Sequence, residues 1–462
     1  MLGLKTFWIG QMNNAFIFDL DGVLIDSKEI HFDALNLALL EINKQYVISK
    51  EEQASTFEGL STKAKLDILS YSKGLPKELH NVIWKKKQIY SSNMFRVFEK
   101  DEDLINLFKL IKSFNIKIGV ASNAIRDTVV GSLKSLGIYS LVDYALSNED
   151  VSNPKPNPEI YESMISLLGS SPEKTVIFED SEIGQAAAKA SLANLFPVTK
   201  RKDISLHYIS KAIKFLCPDS FPNILIPMAG SGSRFFNAGY KDPKPLIDVE
   251  GKPMIQRVVE NIGIPGDYIF IVQAEHYKKY NLENALTNLV SGCKIIQVNG
   301  VTDGAARTAL LATEYINTSR PLIIANSDQI LEWDSSEFMS QLLEAGCDGN
   351  MALFLANEDK WSYAKIKNNK IIEVAEKVVI SNNASTGIYG WANGSDYVKY
   401  ADQMINKNIR VNNEFYICPV YNEAIQDNKR ILPIFIEKMH GIGTPEDLQT
   451  YLGKSSWVKN TQ

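Results

Sequence analysis

Two carboxylates, Asp19 and Asp21, stand two residues apart directly after the apolar run Ala15-Phe16-Ile17-Phe18 and before Gly22. Acids at the carboxyl end of a buried strand lie where α/β sheets place their chemistry, so this run predicts a strand with reactive groups at its tip. Asp19 has the character of a nucleophile toward phosphorus, and Asp21 of a group that exchanges a proton with the entering or leaving oxygen. Neighbouring negative charges repel, and a bound cation relieves the repulsion. Three further polar sets follow apolar runs or stiff turns. Ser122-Asn123 ends the run Ile116 to Ala121 and offers a hydroxyl and an amide to phosphate oxygens. Lys155 lies in Asn153-Pro154-Lys155-Pro156-Asn157-Pro158, where the prolines stiffen the turn that carries its ammonium. Glu179-Asp180-Ser181 ends Thr175-Val176-Ile177-Phe178 and adds carboxylates, so Asp19, Asp21, Glu179 and Asp180 are candidate metal ligands. Nucleophile, acid, phosphate grip and metal ligands are all represented, although an acidic turn in solvent uses the same residue types.

A second set begins after the short apolar run Asn223-Ile224-Leu225-Ile226, in Pro227-Met228-Ala229-Gly230-Ser231-Gly232-Ser233-Arg234. Gly230 and Gly232 permit a tight turn whose backbone N–H groups close on an oxyanion. Arg234, with Lys244 ten residues on in Lys244-Pro245-Leu246, adds the charge that a phosphate chain needs. A lone G-x-G also makes a plain surface turn; strand, arginine and Lys-Pro together point to a nucleoside triphosphate. Gly304-Ala305-Ala306-Arg307-Thr308 opens a helix with small residues, against whose backbone a flat base or ribose fits. Pro321 to Ala325 reads as a strand ending in Asn326-Ser327-Asp328, and Asp328 is a candidate Mg²⁺ ligand for a triphosphate.

Each set therefore needs a buried strand behind it and a helix or turn in front, twice over in one chain. A length of 462 residues accommodates two to three domains, and 45% hydrophobic against 22% charged residues is ordinary for globular chains with substantial cores. A net charge of -5 gives no general electrostatic case for nucleic acid or an anionic membrane, so phosphate binding must come from local sites. Cys217, Cys293, Cys347 and Cys418 are far apart and lack C-x-x-C spacing, which argues against a disulfide framework or a zinc site. No apolar run reaches membrane-spanning length, and a basic region followed by an apolar core is missing at the N-terminus, so the chain reads as cytoplasmic.

The order and spelling of the first set resemble the haloacid dehalogenase superfamily of phosphohydrolases, in its β-phosphoglucomutase-like branch, over residues 14–215. The resemblance implies that Asp19 forms an aspartyl-phosphate, that Asp21 is the general acid/base, that Ser122 and Lys155 bind the transferring phosphoryl group, and that Asp180 with Glu179 holds Mg²⁺. Residues 28–100 match the branch's helical cap. His31 falls where relatives steady the acid/base aspartate with a histidine, and a plain surface histidine remains the alternative. One departure bears on the reaction. Mutases of the branch carry a cap-loop arginine for the distal phosphate, whereas Glu58-Gly59-Leu60-Ser61-Thr62-Lys63 has Thr62 there. Water is then the favoured final acceptor, and Lys63 as a substitute keeps a mutase open.

The second set resembles the sugar-phosphate nucleotidyltransferases over residues 223–462. It carries G-x-G-x-R, K-P-L, the GAA loop, the strand-end aspartate, Glu376-Lys377, Thr386-Gly387-Ile388-Tyr389 and Gly443-Thr444. By this resemblance Ala229, Gly230, Ser231, Gly232 and Arg234 form the triphosphate loop, Lys244 neutralises the phosphates and Asp328 binds Mg²⁺. Gly304 and Ala305 face the nucleotide, while Glu376, Lys377 and Gly387 approach the acceptor phosphate. Family members carry a second metal-binding aspartate just before the Gly-Thr, but this chain reads His440-Gly441-Ile442-Gly443-Thr444. Either one ligand suffices, or Glu376 or Glu414 completes the site.

The expected architecture is α/β. A Rossmann-like haloacid dehalogenase core with a helical cap (residues 14–215) follows an N-terminal extension (1–13). A linker (216–222) then leads to a second Rossmann-like nucleotidyltransferase domain with a mixed sheet (223–462). The expected protein is a Mg²⁺-dependent bifunctional enzyme of activated-sugar biosynthesis: one half dephosphorylates a small sugar or polyol phosphate. The other joins a sugar or polyol phosphate to a nucleoside triphosphate, CTP favoured over GTP, UTP and dTTP, with release of pyrophosphate. Its products would feed surface polysaccharide. The alternatives are a mutase in the first half or a non-catalytic regulatory module in either. Neither nucleic acid nor membrane insertion is expected, and homo-oligomerisation is left open.

Overall fold

The computed structural model describes residues 12–57, 60–95 and 99–459, which divide into two compact units, 1–212 and 213–462. In the first, five short strands, β1 (Ala15–Phe18), β2 (Lys117–Ala121), β3 (Tyr144–Leu146), β4 (Thr175–Glu179) and β5 (Asn194–Pro197), form one sheet in the order β3-β2-β1-β4-β5. All neighbours are parallel, with Phe18 level with both Val120 and Phe178. Parallel sheets are covered on both faces, which is why β1 is an unbroken apolar run rather than an alternating one. Phe18 stacks between Phe178 and Phe108 on one face, while Ile17 and Ile177 join Ile160 and Met164 on the other. The shared register brings the carboxyl ends of β1, β2 and β4 level, so residues 19, 122 and 180 emerge at one edge.

Between β1 and β2 the chain makes the helices Lys28–Leu40, Thr62–Lys73 and His80–Phe95, which bury their own apolar cluster around Leu35, Leu39, Leu66, Leu69 and Ile83. Ser61 caps the second of these through the N–H of Ala64, and Gly74 ends it in the left-handed conformation, φ 71°. Thr62 is thus the first residue of a helix; Glu58 and Gly59, in the run compared with the mutases, lie outside the described residues, as do residues 1–11. The helix Glu102–Ser113 returns the chain to the sheet, capped by Asp101 and burying Leu104, Leu107, Phe108 and Ile111. Arg201 ties the two ends of the helical insertion together: its Nε donates to the carbonyl of Leu24 at 2.8 Å and its guanidinium meets Asp101 Oδ2 at 2.6 Å.

The second unit has a nine-stranded mixed sheet. Its strands are β6 (Asn223–Pro227), then, beyond a small hairpin of β7 (Asp248–Val249) and β8 (Lys252–Pro253), β9 (Asp267–Gln273), β10 (Lys294–Val298) and β11 (Leu322–Ala325). After β12 (Gln329–Glu332) come β13 (Gly349–Leu355), β14 (Ser362–Lys367), β15 (Lys370–Glu376), β16 (Asn383–Trp391) and β17 (Ile431–Phe435). The order is β10-β9-β6-β11-β16-β13-β17, with β14 on β16 and β15 on β14, and β18 (Lys438–Gly441) pairs separately with β12. The first four strands are parallel and β16 is antiparallel to both of its neighbours, so a Rossmann-like half carries an antiparallel extension. Trp391, stacked 4.3 Å from Tyr421, centres the core beneath that junction. Among the described residues no helix is long and apolar enough to cross a membrane.

Candidate active sites

In the first unit the predicted residues converge. Lys155 Nζ lies 2.6 Å from Asp19 Oδ1, 2.9 Å from the carbonyl of Ala121 and 3.4 Å from Glu179 Oε2, with its side chain only 3% exposed. Asp19, Glu179 and Asp180 each offer an oxygen within 4.8 Å of the others, the one group of three or more potential ligands among the described residues. Burial raises Asp19 well above the carboxylate range; Lys155 pulls it down, and Glu179 and Asp21 push it up again. Burial opposes the charge of Lys155 too, yet Asp19 and Glu179 outweigh it and hold the ammonium protonated. Burial, then Glu179, lift Asp180 to about 6. One ammonium is outnumbered by three carboxylates, and a hard divalent cation at their oxygens balances that charge with the ligand chemistry it prefers. The residues present therefore fit such an ion.

Two glycines make the approach possible. Gly22 has φ 79°, and a Cβ there would sit 2.0 Å from Asp180 Oδ2; at Gly184 a Cβ would fall 1.6 Å from Glu179 Oε1. Only glycine admits both carboxylates against the main chain. Glu179 is further held by Ser181 Oγ at 2.7 Å on one oxygen and by the Tyr161 hydroxyl at 3.1 Å on the other.

Asp21 stands outside the carboxylate group. Its Oδ1 takes a 3.2 Å hydrogen bond from His31 Nε2, whose Nδ1 faces Lys87 Nζ at 3.0 Å. A lysine donates only, so Nδ1 accepts and the ring proton sits on Nε2, pointing at Asp21. Burial raises the Asp21 pKa, but the hydrogen bond from His31, with Ser27 and the Lys87 charge, brings it below the usual value. Lys87 was not predicted. Its signal was present in the helix His80–Phe95, where Ile83, Lys87, Ser91 and Phe95 recur every four residues on the buried side: a lysine occupies an apolar stripe.

Ser122 is buried and accepts from the N–H of Ala124 at 3.0 Å. Asn123, predicted to reach phosphate oxygens with its amide, spends both ends elsewhere: Oδ1 accepts from the N–H of Lys155 at 3.1 Å and Nδ2 donates to its carbonyl at 3.3 Å. It fastens the lysine's turn to β2.

In the second unit the glycine loop follows β6. Gly232 has φ 64° and opens the five-residue helix Ser233–Asn237; at Gly230 a Cβ would meet nothing within 4 Å, so the fold itself does not demand glycine there. Gln273 fixes the loop by donating to the carbonyls of Ala229 and Gly300. Ser231 and Arg234 are exposed, and Lys244 faces Asp328 in an ion pair. Asp328 packs against Gly443, where a Cβ would lie 2.5 Å from its Oδ2. The neighbouring Ile442 is buried with Phe235, Ile247 and Met254, so that position points into apolar core. Asp328 belongs to no group of three ligands among the described residues.

At Gly304 the fold itself requires a glycine. It has φ 121°, a Cβ would fall 2.4 Å from the Phe415 carbonyl oxygen, and Phe415 bonds the main chain of Asp303 and Ala306. The side chain is missing because a second chain segment lies there; Ala305 beside it packs against the core. Likewise Gly387, φ 84°, yields its Cβ position to the Asn326 and Gln329 amides. Glu376 is buried, bonded to Ser362, and raised by burial against the pull of Ser362 and Lys377. Lys377 adopts the left-handed conformation, φ 56°, uncommon for a lysine, and sets its ammonium 2.6 Å from the Tyr416 hydroxyl.

Residues 16–198 match the family model of the haloacid dehalogenase-like hydrolases, and residues 224–450 that of the nucleotidyl transferases. A "Phosphorylated carbohydrates phosphatase" from Thermotoga maritima is 29% identical over 181 residues, 38% of this chain and 81% of that protein. A "Pyrophosphatase PpaX" from Bacillus pumilus is 27% identical over 187 residues, 38% of this chain and 79% of its own length. Among solved structures, a nucleoside-diphosphate-sugar pyrophosphorylase from Vibrio cholerae RC9 shares 26% identity, covering 50% of this chain and 99% of that one, with a TM-score of 0.44.

Proposed function

Since the chain joins a haloacid dehalogenase-like hydrolase to a nucleotidyl transferase, and is an enzyme of both classes, we propose that it dephosphorylates a small sugar or polyol phosphate at the first site and nucleotidylates a sugar or polyol phosphate at the second. The domains run over residues 14–215 and 223–462. What carries the reading is the buried contact of Lys155 with Asp19 inside a carboxylate group that fits a divalent cation, beside a second, separate phosphate loop that has its own lysine.

At the first site an Asp19 oxygen attacks phosphorus, the ester P–O bond breaks, and Asp21 gives the leaving oxygen its proton. Asp21 then takes a proton from water as the water oxygen attacks the aspartyl-phosphate, freeing inorganic phosphate and the Asp19 carboxylate. Lys155 and Ser122 hold the phosphoryl oxygens, and Asn123 holds Lys155. His31, kept in one tautomer by Lys87, orients Asp21. Asp19, Glu179 and Asp180 would hold Mg²⁺, which supplies positive charge to the transferring group. The name of the Thermotoga maritima relative supports a carbohydrate phosphate as substrate.

At the second site an oxygen of the acceptor phosphate attacks the α-phosphorus of the nucleotide, the α–β bond breaks and pyrophosphate leaves. The 229–232 loop, Arg234 and Lys244 stabilise charge on the leaving group. Asp328 would hold Mg²⁺, and Lys244, already beside it, exchanges that contact for the phosphates. Glu376, Lys377 and Gly387 receive the acceptor. CTP is the favoured nucleotide, and the products feed surface polysaccharide. A matrix of four nucleoside triphosphates against sugar and polyol phosphates, read by pyrophosphate release, tests this. A CTP-dependent signal with one acceptor class is expected, and a matrix blank throughout would overturn it.

A further inference from the structure

Tyr161 lies fully buried on the helix Glu159–Leu167 and makes two contacts at once. Its hydroxyl donates to Glu179 Oε2 at 3.1 Å, and its ring lies 4.7 Å, centroid to Nζ, from the Lys155 ammonium. Lys155 directs its three protons to Asp19, to the Ala121 carbonyl and, at the longest distance, 3.4 Å, to the same Glu179 oxygen. That oxygen belongs to the second carboxylate on the lysine, which competes with Asp19 for the ammonium. The tyrosine hydroxyl already satisfies it, and the ring face meets the ammonium with the negative side of its quadrupole, an attraction that strengthens when water is excluded. Ser181 takes the other Glu179 oxygen, so the carboxylate is held from both sides and the lysine is left leaning on Asp19.

We propose that Tyr161 is a positioning residue of the phosphatase site, acting through Lys155 and Glu179 rather than on substrate. The inference rests on the phosphatase reading of that site. Removing the hydroxyl leaves a buried carboxylate oxygen whose remaining donor is the catalytic ammonium, and Lys155 shifts toward it. Removing the ring as well takes away the surface that carries the charge.

The full-length chain is assayed with p-nitrophenyl phosphate and inhibited with orthovanadate. Tyr161→Phe is expected to lower kcat by about 10- to 100-fold, the range typical of lost supporting contacts, with KM little changed and Ki for orthovanadate raised in parallel. Tyr161→Leu is expected to lose more. Pyrophosphate release by the second site stays at the wild-type level in both. A Tyr161→Phe enzyme with wild-type kcat overturns the inference while leaving the phosphatase reading intact. So does a loss that raises KM without touching kcat or the orthovanadate Ki. A wild-type chain that releases no phosphate from any ester, yet turns over a nucleotide, removes both.

Discussion

Lys87 shows how much a single side chain contributes and costs. Burial, the largest influence, lowers its pKa from 10.5 to about 8, with Asp21 opposing and Lys65 assisting. A depressed lysine destabilises the fold while it is charged. Below pH 8 both the folded and unfolded chains carry the proton, and the shift corresponds to roughly 3 kcal/mol of lost stability. Between pH 8 and 10.5 the unfolded chain keeps a proton that the folded chain gives up, so stability rises with pH across that window. Lys87→Met is therefore expected to melt higher than wild type at pH 7, an advantage that fades toward pH 10.5, and to lose phosphatase activity because the His31 tautomer is no longer fixed. Melting curves at three pH values check the first part; parallel shifts at every pH would refute it. Gly184 makes the opposite case, a residue whose emptiness is the requirement. Gly184→Ala would put a methyl 1.6 Å from Glu179 Oε1, and it is expected to abolish phosphate release while pyrophosphate release continues.

Elements decide which of these residues meet. The shared parallel register of β1, β2 and β4 collects Asp19, Ser122 and Asp180, and those strands were legible as short apolar runs ending in polar residues. The tertiary partners were not. Nothing in the spelling of Asn123 says that its amide fastens Lys155, because the two are brought together by the fold. Gly304 was read as a small residue for a base or ribose to lie against, and the fold adds a reason of its own: the Phe415 backbone occupies its Cβ position, a long-range contact no local pattern encodes. Gly304→Ala meets both the Phe415 backbone and a positive φ, so a cost of about 1–3 kcal/mol or more and reduced nucleotide turnover are expected, measurable by urea denaturation and pyrophosphate release. Arg201 is likewise a tertiary partner that no motif in the sequence marks. Its charged hydrogen bonds to Leu24 and Asp101 join both ends of the helical insertion, and Arg201→Ala is expected to destabilise the first unit by about 1–3 kcal/mol, with faster amide exchange near both ends.

At the scale of the molecule, two units each carry a core and a candidate site for phosphate chemistry, one built on buried carboxylates and one on a glycine loop. The two-site account requires that each chemistry fail alone. The direct measurement is a pair of assays on one preparation: phosphate release from a sugar phosphate, and pyrophosphate release from nucleoside triphosphate plus a sugar or polyol phosphate. Asp19→Asn is expected to abolish the first and leave the second at the wild-type rate, and Lys244→Ala to do the reverse. Loss of both activities in either folded variant would contradict the account.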